Sequence, residues 1–310
     1  MKLLLTGASG LVGAAVARLA ARRGAEVVGI VGRFEGELAG LTRRLSLDLA
    51  DETSVTRAVR DTAPDAIVNC AAVSEPAACE ADPVRSAALN VALPETLARL
   101  AQEGGATLVH ISSEQVFDGA STDAYRVTEP ASPINRYGRQ KVASECAVLA
   151  AAPGLAAVVR APLLLGDSPS GQRSLHERLL ADWAAGRVAK LYVDEFRQPC
   201  TAENLAEVLL ALVERSELRG LFHWAGAELV SRHELGRRVR ERFGLSETAA
   251  PISAVTRADT PAVAALRPAR LALDLAPLQD ALQTRPRTIA EQLASLKLPA
   301  ALRAWHAKAG

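Results

Sequence analysis

No apolar stretch in this 310-residue chain is long enough to cross a bilayer, which takes about 20 residues. The longest, residues 147–159, is broken by Pro153 and Gly154. The four cysteines, Cys70, Cys79, Cys146 and Cys200, have no CxxC spacing, so they read as reduced thiols of a cytoplasmic protein. The five histidines form no HExxH pair, and no metal is expected. Lysine is scarce, five of the 36 basic residues. The arginines are scattered among 35 acids, for a net charge of +1. Without a basic run interleaved with aromatics, a nucleic-acid groove is excluded. The N-terminal apolar run is interrupted by Gly7, Gly10 and Gly13 and carries Arg18 where a cleavage region should be neutral, which argues against a signal peptide. There is no internal repeat and no low-complexity tail.

What remains is an ordinary globular composition, 49% hydrophobic and 23% charged, long enough for one large domain or two unequal ones. The first 160 residues alternate two patterns. Short β-branched or leucine-rich runs at 2–6, 26–31, 66–69, 107–111 and 157–160 read as strands. Longer Ala/Leu/Arg stretches at 11–23, 52–60, 83–102 and 133–151 read as helices. All-apolar strands alternating with helices predict an α/β fold: a doubly wound parallel sheet covered on both faces. Beyond Arg160 the rhythm weakens into Pro-, Gly- and Ser-rich loops and helices at about 175–185, 202–215, 231–243 and 276–282. Residues 161–310 therefore read as a smaller, mostly helical substrate-binding lobe. Residues 1–160 form the dinucleotide-binding domain, which also receives chain from about 190–225.

The first strand runs into Thr6-Gly7-Ala8-Ser9-Gly10-Leu11-Val12-Gly13. Gly7 permits a tight turn, Gly10 a close approach to a pyrophosphate, and Gly13 close packing of helix on sheet. The helix N-terminus then offers free N–H groups and a positive dipole end to phosphates. At the end of the second strand Arg33 stands where NAD binders carry an acid that grips the ribose 2′-hydroxyl. An arginine suits the 2′-phosphate of NADP, so NADP(H) is favoured over NAD(H). Asp48, after a third short strand, either accepts from the adenine amino group or caps the helix that starts at Glu52.

Tyr137 and Lys141 are spaced i, i+4, which puts both on one helix face. Ser132 and Pro133 supply an N-cap and a first helical residue. The tyrosine can donate a proton to a carbonyl oxygen as hydride reaches the carbon. A nearby ammonium should lower its pKa from about 10 and can also hold the nicotinamide ribose. Ser112 and Ser113 lie at the carboxyl end of the 107–111 strand, where such sheets bind ligands, and can polarise the carbonyl.

Taken together these residues resemble the extended short-chain dehydrogenase/reductase family. Residues 110–119, His-Ile-Ser-Ser-Glu-Gln-Val-Phe-Asp-Gly, are similar to the I-S-[TS]-D-Y-V-F-D-G motif of its dTDP-4-dehydrorhamnose reductase branch. So are residues 69–72, Asn90, residues 194–199, Arg267-Pro268 and Leu273-Asp274. Residues 222–226, Phe-His-Trp-Ala-Gly, resemble the methionine adenosyltransferase regulatory β subunit. The resemblance implies a catalytic set of Ser113, Tyr137 and Lys141. It also implies cofactor contacts from the glycine loop, Arg33, Asp48, Leu49, Cys70, Ala71, Ala72, Asn90, Ser112, Tyr137 and Lys141. Substrate contacts are expected from Glu114, Leu163, Gln172 and Arg197. The chain departs from the branch where Glu114-Gln115 replace Asp-Tyr, Leu163 a tryptophan, Cys200 a threonine and Arg197 a glycine. The activity implied is reduction of a keto group on a sugar or nucleotide sugar. Alternatives are an NADP-binding regulatory subunit or a nucleotide-sugar epimerase or dehydratase. The partners implied are a small-molecule substrate together with a homodimer mate or a partner enzyme subunit.

Overall fold

The computed structural model describes residues 1–309. Seven strands form one wholly parallel sheet: β1 (Lys2–Thr6), β2 (Glu26–Val31), β3 (Arg43–Ser46), β4 (Ala66–Asn69), β5 (Thr107–Ser113), β6 (Ala156–Ala161) and β7 (Gly220–His223). Their spatial order is β7-β6-β5-β4-β1-β2-β3, with the chain reversing direction across the sheet between β1 and β4. The apolar runs are buried on both faces. On one side Leu3, Leu5 and Val68 pack with helix α1 (Leu11–Arg22). On the other Leu4, Ile67 and Leu108 pack with α2 (Glu52–Thr62) and α3 (Leu93–Gly104). This is the doubly wound α/β arrangement that strand–helix alternation predicts.

Three local expectations need correction. The stretch 83–102 is not one uniform helix. An α-turn at Pro83–Ala87 widens into a π-turn at Ala88–Ala92 before α3 begins. Pro94 has no N–H for the carbonyl of Asn90, four residues back, and its ring crowds that carbonyl, so the turn opens there. Helix α4 spans Arg136–Ala151 rather than 133–151. Its N-cap is Asn135, whose side chain accepts from the Gly138 N–H at 2.8 Å, while the Ser132 hydroxyl accepts from the Asp118 N–H. The cap of α2 is Asp51, which accepts from Thr53 and Ser54, and not Asp48.

Beyond β6 the chain builds a second core around Leu179, Leu180, Trp183, Leu191, Val239 and Leu293. Its helices α5 (Leu175–Ala184) and α7 (Arg232–Arg242) pack beside a two-stranded parallel pair, Ala189–Tyr192 with Ile252–Val255. Between them the chain returns to the sheet. Helix α6 (Ala202–Glu214) joins the core under α1, and β7 pairs with β6. No helix among the described residues is long and apolar enough to cross a membrane.

Candidate active site

The carboxyl edge of the sheet gathers most of the residues singled out above. Gly7 turns with φ +64°, and a Cβ there would lie 2.8 Å from the Ala71 N. A Cβ on Gly13 would sit inside van der Waals contact with the Gly7 carbonyl, and one on Gly10 at 3.0 Å from it. Only glycine lets this turn, the β4 loop and α1 come so close. Gly10 is also the N-cap of α1 and brings no side chain to its free N–H groups, unlike Asp51 at α2 or Asn135 at α4. Those N–H groups stay open to an anion, so the residues present fit a dinucleotide pyrophosphate. The register Thr6↔Asn69 sets Cys70, Ala71 and Ala72 beside this turn.

Asn90 occupies the π-turn and is wholly engaged by protein. Its Oδ1 accepts from the Val73 N–H at 2.9 Å, and its Nδ2 donates to the Val73 carbonyl at 3.0 Å and to Gln140 at 2.8 Å. It therefore pins the loop that carries Ala71 and Ala72 to α4. Ser112 is similarly committed, donating to Glu145 Oε1 at 2.5 Å while 2% exposed. Asp48 lies at the end of β3 in a bidentate pair with Arg85, at 2.8 Å on both arms. Arg33 is exposed, and Leu49 follows Asp48 on the same loop.

Tyr137 and Lys141 sit on the buried face of α4, with Lys141 Nζ 5.9 Å from the centre of the Tyr137 ring. Lys141 donates to the Ile111 carbonyl at 2.8 Å, which ties α4 to β5. Burial pushes the Tyr137 phenol up to about 12, although the Ser113 hydroxyl facing it pulls the other way. Burial brings Lys141 down to about 8, and the carboxylate of Glu145, one turn along, works against that. The expectation that the ammonium would lower the tyrosine is thus not met. Desolvation dominates both groups, and the lysine's hydrogen bond goes to a backbone carbonyl. A phenol held neutral is the form that can donate a proton.

Behind this pair lie two buried polar groups that the sequence reading missed. Thr6 donates to Asn69 Oδ1 at 2.6 Å, and the Ala71 N–H donates to the same oxygen, so Asn69 Nδ2 faces His110 Nδ1 at 3.0 Å. His110 must then carry its proton on Nε2 and donate to Ser144, which donates to the Lys141 carbonyl at 2.8 Å. Burial drives the imidazole pKa well below its ordinary value, so this chain from the glycine turn to α4 stays uncharged. The second group is the Glu145–Arg160 pair, at 2.7 and 2.9 Å with both side chains about 5% exposed, and Arg160 also reaches His223 at 3.3 Å. The signals were present: Glu145 continues the i, i+4 series from Tyr137 and Lys141, and His110 and Arg160 are polar residues within apolar strands.

A model of the RmlD substrate binding domain matches residues 1–299. The chain belongs to this family. The family includes reductases, dTDP-4-dehydrorhamnose reductase among them, and this chain is of that NAD(P)-dependent oxidoreductase type, consistent with the extended short-chain dehydrogenase/reductase family. Among its relatives, methionine adenosyltransferase 2 subunit beta of Xenopus laevis is 33% identical over 285 residues, 89% of this chain and 81% of that one. The dTDP-4-dehydrorhamnose reductase of Mycolicibacterium smegmatis is 33% identical over 245 residues, 78% and 69% of the two chains. The fold is that of the Bacillus anthracis dTDP-4-dehydrorhamnose reductase solved with NADP, with TM-score 0.81, 20% identity and 94% and 97% coverage. It is also that of Bordetella bronchiseptica WbmH solved with NAD+, with TM-score 0.79, 20% identity and 95% and 96% coverage.

The substrate end of this RmlD-family chain is arranged differently from expectation. Glu114, Leu163 and Arg197 do come together: Arg197 Nε is 3.2 Å from Glu114 Oε1, and the Leu163 N–H faces the same carboxyl. Arg197 is not free for a ligand, however. Its remaining N–H groups go to the carbonyls of Phe196, Pro268 and Ala269 and to Glu195. Burial lifts the Glu114 carboxyl to about 8 despite that guanidinium, and its Oε2 is buried without a hydrogen-bond partner. Gln172 stands apart, exposed on the loop before α5. No group of three or more His, Cys, Asp or Glu side chains among the described residues could hold a metal ion.

Proposed function

We propose that this chain is an NADPH-dependent reductase of a keto group on a sugar or nucleotide sugar, with Ser113, Tyr137 and Lys141 as its catalytic residues. The observation that carries this is the meeting of the three at the carboxyl edge of β5, beside a glycine turn shaped for a pyrophosphate. A reduced nicotinamide cofactor, held through its pyrophosphate at the turn of Gly7, Gly10 and Gly13, would supply the hydride to the carbonyl carbon. Tyr137, neutral at working pH, gives its phenolic proton to the carbonyl oxygen. Ser113, whose hydroxyl already faces Tyr137, polarises that oxygen beforehand. The Lys141 ammonium stabilises the phenolate that remains, until solvent returns the proton. Exposed Arg33 at the end of β2 supports NADP over NAD. In a panel of nucleotide 4-keto sugars, at least one should drive oxidation of NADPH followed by absorbance. Tyr137→Phe should abolish that turnover, by roughly a thousandfold or more, and change NADPH affinity less than about threefold. NADPH binding with no oxidation across the panel counts against the reading.

A second reading is supported by the 33% identity to methionine adenosyltransferase 2 subunit beta: an NADP-binding regulatory subunit. Residues 222–226 do not favour it, because His223, Trp224 and Ala225 are buried against the sheet and present no partner surface. Co-elution with a methionine adenosyltransferase on size exclusion supports this alternative, and separate elution at micromolar concentrations removes it.

A further inference from the structure

The parallel register of β2 with β3 puts Val31 beside Ser46. Arg33 and Asp48, each two residues further on, therefore leave the sheet side by side, on strands about 5 Å apart. On the other side of β2, Thr6 pairs with Ile30, so the glycine turn opens on the same edge. A dinucleotide with its pyrophosphate at the start of α1 has its adenosine ribose here. Arg33 is exposed, and its charge acts on the Asp48 carboxylate.

That carboxylate is not free. Arg85 holds both of its oxygens, a fork-to-fork pair spanning 37 residues of sequence, and the Ala50 N–H adds a third bond at 3.0 Å. The backbone of Arg85 is itself fixed, because Asp82 accepts from its N–H at 2.9 Å. The two side chains are 46% and 52% exposed, so a ligand can reach them. An unpaired Asp48 would cancel the charge of Arg33 and repel a doubly negative 2′-phosphate. Paired with Arg85, it does not.

We propose that Arg85 is a specificity-determining residue of the adenosine subsite: by occupying Asp48 it leaves Arg33 the dominant charge and sets the preference for a 2′-phosphorylated cofactor. This rests on the NADP reading above. It is separable from catalysis, because the readout is binding.

The probes are 2′,5′-ADP and 5′-AMP, titrated calorimetrically against the full chain. The wild type should bind 2′,5′-ADP the more tightly. Arg85→Gln should reduce the ratio of the two affinities roughly three- to tenfold, almost entirely through 2′,5′-ADP. Adding Asp48→Asn to that variant should restore the ratio to within about twofold, which mere loss of a surface contact would not do. A urea unfolding midpoint matching the wild type shows that the variants fold. A wild-type preference that survives Arg85→Gln, or a double variant no better than the single, overturns the proposal alone. A wild type that does not distinguish the two nucleotides overturns both the proposal and the NADP reading.

Discussion

At the scale of single residues, burial acts on Tyr137 and Lys141 in opposite senses. A desolvated phenol resists losing its proton and a desolvated ammonium gives one up, so Tyr137 rises to about 12 and Lys141 falls to about 8. Reduction of a carbonyl by the proposed route needs the phenol neutral and the lysine charged. Both conditions hold at pH 7, and the lysine fails first as pH rises. The rate constant kcat for keto-group reduction is therefore expected to fall through about pH 8 with the slope of one proton, well before Tyr137 ionises. An initial-rate profile from pH 6 to 10 at saturating NADPH measures it. A plateau extending to pH 10 would place the limiting ionisation elsewhere. Lys141→Arg, which keeps its charge over that range, should lose the fall in whatever activity it retains. The pairing of Tyr137 with Lys141 was legible from an i, i+4 spacing. The size and direction of these shifts were not, because they come from strands and loops far away in sequence that close over α4.

At the scale of elements, Asn135 joins three of them. Its Oδ1 caps α4 at the Gly138 N–H, and its Nδ2 donates to the Gln115 side chain and to the Leu266 carbonyl, each at 2.9 Å. Asn135→Ala should cost about 1–2 kcal/mol of unfolding free energy, read from the urea midpoint, since it removes a cap from a buried helix start. A change below about 0.3 kcal/mol would mean that Ser132 or water replaces it. From local sequence alone the cap falls at Ser132, and the difference has a physical cause. Local rules offer both a serine followed by proline and an asparagine within four residues. What decides between them is Gly138, whose bare Cα lets α4 approach the Gln115 carbonyl and Pro133, so the helix can begin only after that contact. The glycine turn, by contrast, was readable in full, because strand, turn and helix N-terminus are contiguous. The π-turn at Ala88–Ala92 had a local cause in Pro94, but tertiary demand from Val73 and Gln140 is what makes use of it.

At the scale of the whole molecule, the doubly wound parallel core followed from the alternation of patterns, whereas the edge strand β7 had no such signal. The substrate end did not follow either, because its side chains meet only in three dimensions: Glu114 and Arg197 come from segments with no local signal linking them. The same interleaving governs how the molecule should unfold. Chain that leaves the sheet after β6 builds part of the second core, returns as α6 and β7 to complete the first, and then leaves again. Neither core can be lost without dragging chain out of the other, so calorimetry should give one cooperative transition and not two. The Glu145–Arg160 pair, with Ser112 and His223, sits where α4, β5, β6 and β7 meet, and both charges are nearly inaccessible. Arg160→Met leaves Glu145 buried without its hydrogen-bonded guanidinium and should cost about 3–5 kcal/mol, lowering the midpoint of that single transition. Glu145→Met with Arg160→Met removes both charges at similar volume and should recover most of the loss. Two resolved transitions, or a single variant that shifts only part of the heat absorption, would show that the two cores unfold separately and that the returning chain does not couple them.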